Sequence, residues 1–527
     1  MKPPVIELDQ KRIEEFLQRA EEALKPDDFA FVTTLIQALV FLNNLVQKKS
    51  RSIVDLLRML FGIKTESSKR ILKNPSDSSP SDDSNRPPPK GHGRNGVKDY
   101  PGATKIPVPH EKLKSGDQCP ECEEGKVYPI EPGVVMRFLA AAPIQLVIYL
   151  LEKLRCNLCG EIFTAQKPPE AGEQKYDETV ASMVAVLRYG NGFPFNRLEK
   201  LQDSCGIPLP ASTQWDIVDE KAEELIPVYT ELVREAAQAD LIYQDDTKMR
   251  VLSFGKEMKE ENKKENKKEP SRKGIFTTGL VCESEEKTIA CFFTGRRHAG
   301  ENLRDLLKQR LSELSPPIQM CDALSWNMPD DLLTILANCL GHGRRNFVKL
   351  IDAFPDECRY VIEILAKVYH NDALSKEQSL LPDERLKLHQ EKSAPLMKEL
   401  KEWMETQLRD KLVEPNSGLG KAISYMLSRW EKFTLFLNIP GAPLDNNICE
   451  RALKMAIRHR KNSLFYKTER GAWVGDLFMS LIHTCNLMGV NAFEYLTALM
   501  RNIARIAEEP SRWMPWNYKQ TLSEIPP

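Results

Sequence analysis

Glu450 stands in the run Asp445-Asn446-Asn447-Ile448-Cys449-Glu450-Arg451, at the head of a helix-forming segment whose later turns carry Lys454, Arg458, His459, Arg460 and Lys461. One carboxylate followed by cations alone suits a divalent metal held beside a phosphodiester. Two further acids, Asp245 and Asp322, each end an apolar segment and are candidates for the rest of such a metal site. Taken singly, an Asp at a strand end is more often a turn former than a ligand. The chemistry therefore rests on the three acting together. His342, Arg344 and Arg345 follow Asp322 in sequence and are candidates for contacting a scissile phosphate. Arg451, Lys454, Arg458, Arg460 and Lys461 would track DNA backbone, giving affinity without sequence information. Asn446 and Asn447 are expected to cap the Glu450 helix.

A second ligand set is Cys119-Pro120-Glu121-Cys122 with Cys156-Asn157-Leu158-Cys159. Each CxxC turn offers two thiolates to one tetrahedral ion, and Gly125 and Gly160 suit the turns that follow. Cys119, Cys122, Cys156 and Cys159 predict a structural Zn²⁺, with no open position for catalysis. The remaining cysteines of the 12 are scattered singly in apolar segments and are expected to be buried, reduced thiols.

These residues need elements to position them. Leu241 to Leu252, Ile275 to Cys282, Thr288 to Phe293 and Ile318 to Asp322 have strand character, with a helix over Asn302 to Leu311. Acids on the first and fourth strands describe an α/β sheet with carboxylates gathered at one end. The chain is expected to be multidomain α+β. Residues 1–73 form an N-terminal helical domain, in which Val32, Leu35, Leu39, Leu42 and Val46 make an apolar stripe too short to demand a coiled coil. Residues 74–110, rich in Ser, Pro, Asp and Gly, are a disordered linker, and 111–170 hold the zinc ribbon. Residues 171–239 are a helical, helix-turn-helix-like domain, with Ser212 as a cap. The catalytic core spans 240–350 and 441–510, interrupted by a helical insertion at 351–440, and 511–527 are a C-terminal tail. The Lys/Glu tract from Gly255 to Lys273 is a solvated excursion without assigned chemistry.

Composition excludes little but directs much. Lys plus Arg (74) nearly balance Asp plus Glu (75), so a nucleic-acid partner must be met by local patches. The apolar run Val134 to Leu151 is broken by Arg137, Pro143 and Gln145, which is poor for a bilayer span. The Met1-Lys2-Pro3-Pro4 start has no signal pattern. A soluble protein of a reducing compartment, with no membrane partner, is expected.

Several motifs together resemble the transposases of the bacterial insertion sequence sixty-six family. They are Asp245-Asp246-Thr247, Cys339-Leu340-Gly341-His342-Gly343-Arg344-Arg345-Asn346-Phe347, Asp445-Asn446-Asn447 with Glu450-Arg451-Ala452-Leu453, and Arg460-Lys461-Asn462-Ser463-Leu464-Phe465. Pro194-Phe195-Asn196-Arg197, Arg297-His298-Ala299-Gly300-Glu301 and Tyr425 with Arg429-Trp430 fall in the family's order. The resemblance implies a ribonuclease-H-like core with a DDE site of Asp245, Asp322 and Glu450 holding two Mg²⁺, or Mn²⁺, ions. It implies binding of terminal inverted repeats, strand cleavage and transfer to target DNA, a homo-oligomer on DNA and small companion proteins of the element. It also implies a bacterial cytoplasmic location, at the nucleoid when DNA-bound. Two other classes fit the same residues: a DNA-binding repressor without catalysis, and a nuclease of this fold without strand transfer. The chain departs from the family at Asp246, where a Glu is usual, and at Ala323-Leu324-Ser325-Trp326, where Gly and aromatic residues are usual.

Overall fold

The computed structural model describes residues 10–23, 143–155, 162–254, 274–323 and 333–525, with scattered residues in 25–36 and 114–128. Cys119, Cys122, Cys156 and Cys159, the 74–110 linker, the Gly255 to Lys273 tract and the stripe positions Leu35, Leu39, Leu42 and Val46 lie outside the described residues. The chain divides into two compact units, Met1–Ser78 with Val348–Glu363, and Ser79–Phe347 with Ile364–Pro527. In the first, helix α1 (Gln10–Ala23) is described. The second carries every candidate catalytic residue.

Two small antiparallel pairings bracket the cysteine pairs in sequence. Strands β1 (Lys153–Arg155) and β2 (Ile162–Thr164) pair with Arg155 opposite Ile162, and Gln118 bridges Lys126 in the same sense. The helical block that follows begins with α2 (Glu178–Ala185), capped by the Asp177 carboxylate, which accepts from the amides of Thr179 and Val180. A π-helical turn, Val186–Gly190, continues it. Helices α3 (Phe195–Ser204), α4 (Ala211–Glu224) and α5 (Ile226–Ala236) complete the block. Ser212 does not cap α4. The helix starts at Ala211, because Pro210 with its extended ψ of 145° already ends the preceding chain, and Pro210 supplies no side-chain bond. Along α4 the exposed charged positions are Asp216, Glu220 and Glu223, a surface that a phosphate backbone would repel.

The core is a five-stranded mixed sheet ordered β5-β4-β3-β6-β7. Strands β3 (Leu241–Lys248), β4 (Phe276–Glu283) and β5 (Thr288–Gly295) form an antiparallel meander. Helix α6 (Ala299–Leu307) leads to β6 (Ile318–Cys321), which pairs parallel to β3, and β7 (Ile335–Asn338) pairs parallel to β6. The sheet differs from the sequence expectation in two strands. Strand β3 stops at Lys248, short of Leu252, although Val251 still makes one parallel bridge to Tyr466. Strand β7 was not predicted: four residues, Ile335-Leu336-Ala337-Asn338, carry neither alternation nor length enough to separate a strand from a buried turn.

After β7 come α7 (Leu340–Val348) and then the helical stretch α8 (Pro355–Glu377), α9 (Pro382–Lys392), α10 (Ala394–Arg409) and α11 (Gly418–Leu427). No strand interrupts this stretch among the described residues. Helix α12 (Asn447–Ser463) returns to the sheet and packs on β3 and β4. Its close approach depends on Gly279: a Cβ there would lie 3.0 Å from Leu453 Cγ and 3.6 Å from Cys449 Sγ. The Cys449 thiol uses the gap to donate to the Gly279 carbonyl at 3.2 Å.

Helix α13 (Glu469–Leu487) covers the β5 edge. Side chains four residues apart accept from alternate amides of that strand. Asp476 Oδ2 accepts from Thr294 at 2.6 Å, Ser480 Oγ from Phe292 at 3.0 Å and Thr484 Oγ1 from Ala290 at 3.1 Å. Met488 Sδ, just past the helix, accepts from Thr288 at 3.3 Å. An edge strand that would otherwise present free N–H groups is thereby covered. Seven of the eight single cysteines are buried as expected, and Cys205 is exposed because it closes α3 at the surface. Among the described residues, no helix is long and apolar enough to cross a membrane.

Candidate active site

Directly paired residues of a sheet share a face, so the register decides which side chains meet. Tyr243 pairs with Met320 across β3 and β6, and continuing that parallel register by two residues sets Asp322 beside Asp245. Asp245 also pairs with Gly279, the residue against which α12 packs. Asp245, Asp322 and the head of α12 therefore lie on one face at one end of the sheet. Glu450 occupies the first turn of that helix.

The Asp245 carboxyl is pushed up to about 7, first by burial, and further by the charges of Asp322, Glu450 and Asp246; the Asp246 amide, donating at 2.8 Å, opposes this. Glu450 Oε1 lies 3.6 Å from Arg345 Nη2 and 3.9 Å from His342 Nε2. Helix α7 thus directs a cation and an imidazole at the third acid. Arg344, its sequence neighbour, is buried. Among the described residues, no three His, Cys, Asp or Glu side chains converge on a single point as they stand.

The basic residues of α12 separate by role. At about 100° per residue, Arg451, Lys454, Arg458 and Lys461 fall within about 80° of one another, with Glu450 at the stripe's border. All four are exposed. Arg460 points elsewhere, donating to Thr247 Oγ1 at 3.1 Å and to the Lys248 carbonyl, and so ties the end of α12 to the end of β3. Arg458 also donates to the Gly190 carbonyl at 3.3 Å, and Asn462 to the Gly192 carbonyl at 2.9 Å. His459 is buried and stacked on Tyr466, its rings 4.2 Å apart; burial first, and Arg188 next, push its imidazole down to about 2.

Beyond α12 the chain turns on Leu464, at φ 68° and ψ −40°, where the Phe465 amide donates back to the Ser463 carbonyl at 2.8 Å. This is a γ-turn with a β-carbon in a region favouring glycine, a conformation costing about 1–3 kcal/mol.

Sequence reasoning missed three contributors. Asn446 makes no cap for α12. Its fully buried side chain donates to the Gln244 carbonyl at 2.8 Å, while its amide donates to Cys339 Sγ at 3.3 Å. It therefore joins β3, the start of α7 and the head of α12, and the capping is done by Asp445, whose Oδ1 accepts from the Asn447 amide at 3.1 Å. Asp246 faces the opposite side of the sheet from Asp245. Its Oδ2 accepts from the Ala299 amide at 2.9 Å and lies 3.2 Å from His298 Nδ1, and its Oδ1 accepts from Thr278 Oγ1 at 2.5 Å. Asp246 anchors the N-terminus of α6, and the Arg297 to Glu301 motif is its counterpart. Tyr425 on α11 carries the Arg429 guanidinium 4.5 Å over its ring, and its phenol is pushed up by burial first, with the Asp322 charge adding to it. The only signal for these residues was their place in motifs.

Asn446→Ala is expected to cost about 1–2 kcal/mol by leaving the Gln244 carbonyl without its donor. Asn446→Asp, nearly isosteric but with an acceptor facing that carbonyl, is expected to cost more. Urea unfolding ranks the two, and equal losses would mean that the side chain only fills space.

A family model described as transposase IS66 family matches residues 174–473, which include the whole five-stranded sheet and all three acids. Three curated proteins of Sinorhizobium fredii (strain NBRC 101917 / NGR234), each named as uncharacterized, are similar to the chain. Protein y4jD is 24% identical over 355 residues, covering 64% of this chain and 66% of its own length. Protein y4hP is 26% identical over 401 residues, covering 70% and 67%. Protein y4qI is 25% identical over 348 residues, covering 65% and 62%. The chain spans just under two thirds of the first of these relatives.

Proposed function

The chain belongs to the transposase IS66 family, and from that premise we propose that it is a DDE transposase which binds the ends of its element, cuts a strand there and joins it to target DNA. The observation that carries this reading is the meeting of Asp245, Asp322 and the Glu450 helix at one end of the sheet, with the Asp245 carboxyl held up to about 7. An antiparallel meander followed by two parallel strands, with acids at the ends of the first and fourth, supports a ribonuclease-H-like core.

Asp245, Asp322 and Glu450 are the residues that would hold divalent metal, Mg²⁺ or Mn²⁺. Hard carboxylate oxygens suit such ions, which need few protein ligands, and like charges gathered around a buried acid are relieved by a cation. When bound, two such ions activate the attacking oxygen and neutralise the leaving one. The protein's own residues do the rest. Glu450 joins the other two acids from a first turn that faces Arg345 and His342, which places a guanidinium and an imidazole beside the site where a phosphate oxygen would sit. Asn446 fixes the distance between β3 and the Glu450 helix. Arg451, Lys454, Arg458 and Lys461 lay the duplex along α12 and away from the carboxylates. A structural Zn²⁺ on Cys119, Cys122, Cys156 and Cys159 belongs to the same proposal, supported by the paired residues on either side of each CxxC. So do a homo-oligomer on DNA and small companion proteins.

The test is a labelled duplex carrying the inverted repeat that flanks the gene, incubated with Mg²⁺ and either the native protein or Glu450→Gln. Nicking at the terminus by the native protein alone is the expected result. Binding by both without cutting, with companion proteins present, leaves an end-binding repressor; cutting without joining to a target leaves a nuclease.

A further inference from the structure

The turn after α12 is chemically odd for a surface. Leu464 is 64% exposed and Phe465 is 36% exposed, although both follow a helix whose outer stripe is cationic. Their backbone is held by neighbours on both sides: the Tyr466 amide donates to the Arg250 carbonyl at 2.9 Å, and the Leu252 amide donates to the Tyr466 carbonyl at 2.9 Å. Arg460 fastens the preceding turn to Thr247 and Lys248. The γ-turn at Leu464 is therefore a strained tip on a fixed base, with the Leu464 side chain largely exposed and that of Phe465 partly so.

Among the described residues, the exposed charges on the two segments that meet at this tip are mostly positive. Lys248, Arg250, Lys461 and Lys467 are exposed and come from the two segments that clamp it, with Glu469 the acid next along the chain. An apolar pair inside a ring of cations, at the far end of a basic stripe that starts at Glu450, fits a nucleic-acid duplex better than a protein surface. The cations take phosphates, and the apolar pair is left against the bases. Leu and Phe are among the side chains that enter between base steps and unstack them.

We propose that Leu464 and Phe465 form a wedge that unstacks the bound duplex at a distance from the cleavage site. This inference rests on the reading of α12 as the DNA-facing helix. From Glu450 to Leu464 the helix rises about 21 Å, or about six base pairs of duplex, at 1.5 Å per residue. The strain has a use on this view: it holds two apolar side chains out of the core and ready, with no reorganisation left for the moment of binding.

The test scans 2-aminopurine along the outer base pairs of the gene's own inverted-repeat duplex and follows its fluorescence on binding. The native protein is expected to brighten the probe several-fold at one or two adjacent steps. The Leu464→Ala, Phe465→Ala double variant is expected to leave it at the level of free duplex while binding weakens less than tenfold. Leu464→Gly supplies a second readout: it is expected to raise the melting temperature by relieving the positive φ and to diminish the fluorescence change. Native binding without brightening at any position overturns the wedge alone, as does brightening that survives the double variant. Failure of the native protein to bind the duplex at all overturns both the wedge and the DNA-end reading. Loss of binding to anionic vesicles in the double variant, with DNA behaviour unchanged, assigns the tip to a lipid surface and overturns the wedge.

Discussion

Asp245→Asn is expected to lower end cleavage about a thousandfold or more and yet to give a protein that is more stable above neutral pH. The two effects have one cause. Asp245 is buried beside Asp322 and Glu450, and its carboxyl is pushed up to about 7. The unfolded chain releases this proton near pH 4. Between about pH 4 and pH 7 the folded protein holds a proton that the unfolded one has lost, so stability falls as pH rises through that window. Above pH 7 the native protein carries the whole cost, roughly 2–4 kcal/mol for a shift of this size. The amide has no charge to bury, so the variant should lose that part of the slope. Asp476, also pushed up to about 7 by burial, keeps its own share in both proteins. Urea unfolding in a metal-free buffer at pH 5 and pH 8 measures the difference. A variant no more stable than the native protein at pH 8 would remove the argument for a strained acid cluster. Mg²⁺ should then raise the melting temperature of the native protein and leave that of the variant unmoved.

Reversing charge on the outer stripe should act on a different quantity. Lys454→Glu with Lys461→Glu removes two expected phosphate contacts and adds two repulsions, so affinity for an end duplex should drop about 10- to 100-fold at physiological salt. The slope of log affinity against log salt should shrink by about two, since each lost contact no longer releases its counterions. Weakening should be similar for end and random duplex, because backbone contacts carry no sequence information. Arg460→Ala should behave otherwise: its guanidinium is used on Thr247 and Lys248, so the loss should appear as stability and leave the salt slope near native. An unchanged slope in the double reversal would take the stripe away from DNA.

Much of this site is legible in the sequence, for reasons that can be traced residue by residue. Asp245 and Asp322 each close an apolar run, which marks both as acids at one end of a sheet, and the structure supplies the parallel register that sets them side by side. Glu450 heads a helix-forming segment rich in cations, so its helix is visible in advance, while the sorting of Arg460 from the exposed cations is not. What stays hidden depends on three-dimensional partners. Asn446 looks like a cap because Asn commonly caps, and only the nearby Gln244 carbonyl diverts it. Arg344 and Arg345 are indistinguishable as letters, yet the turn of α7 buries one and aims the other at Glu450. Strand β7 is too short to show a period, and the role of Asp246 depends on a helix that begins more than fifty residues later.

The cover on the β5 edge carries a limit of its own. Four helical residues advance about 6 Å, and two strand residues advance about 6.7 Å. A polar stripe at every fourth position of α13 can therefore keep step with alternate amides only briefly, falling behind by about 0.7 Å at each repeat. The four contacts nevertheless all form, at 2.6 Å to the Asp476 carboxylate, 3.0 and 3.1 Å to the Ser480 and Thr484 hydroxyls and 3.3 Å to the larger Met488 sulfur. A straight helix can thus stand in for a missing neighbour strand over about eight residues, and β5 has that length. The mismatch of the two spacings limits the sheet's outer border: lengthening β5 by one more pair would leave a bare amide, open to another chain.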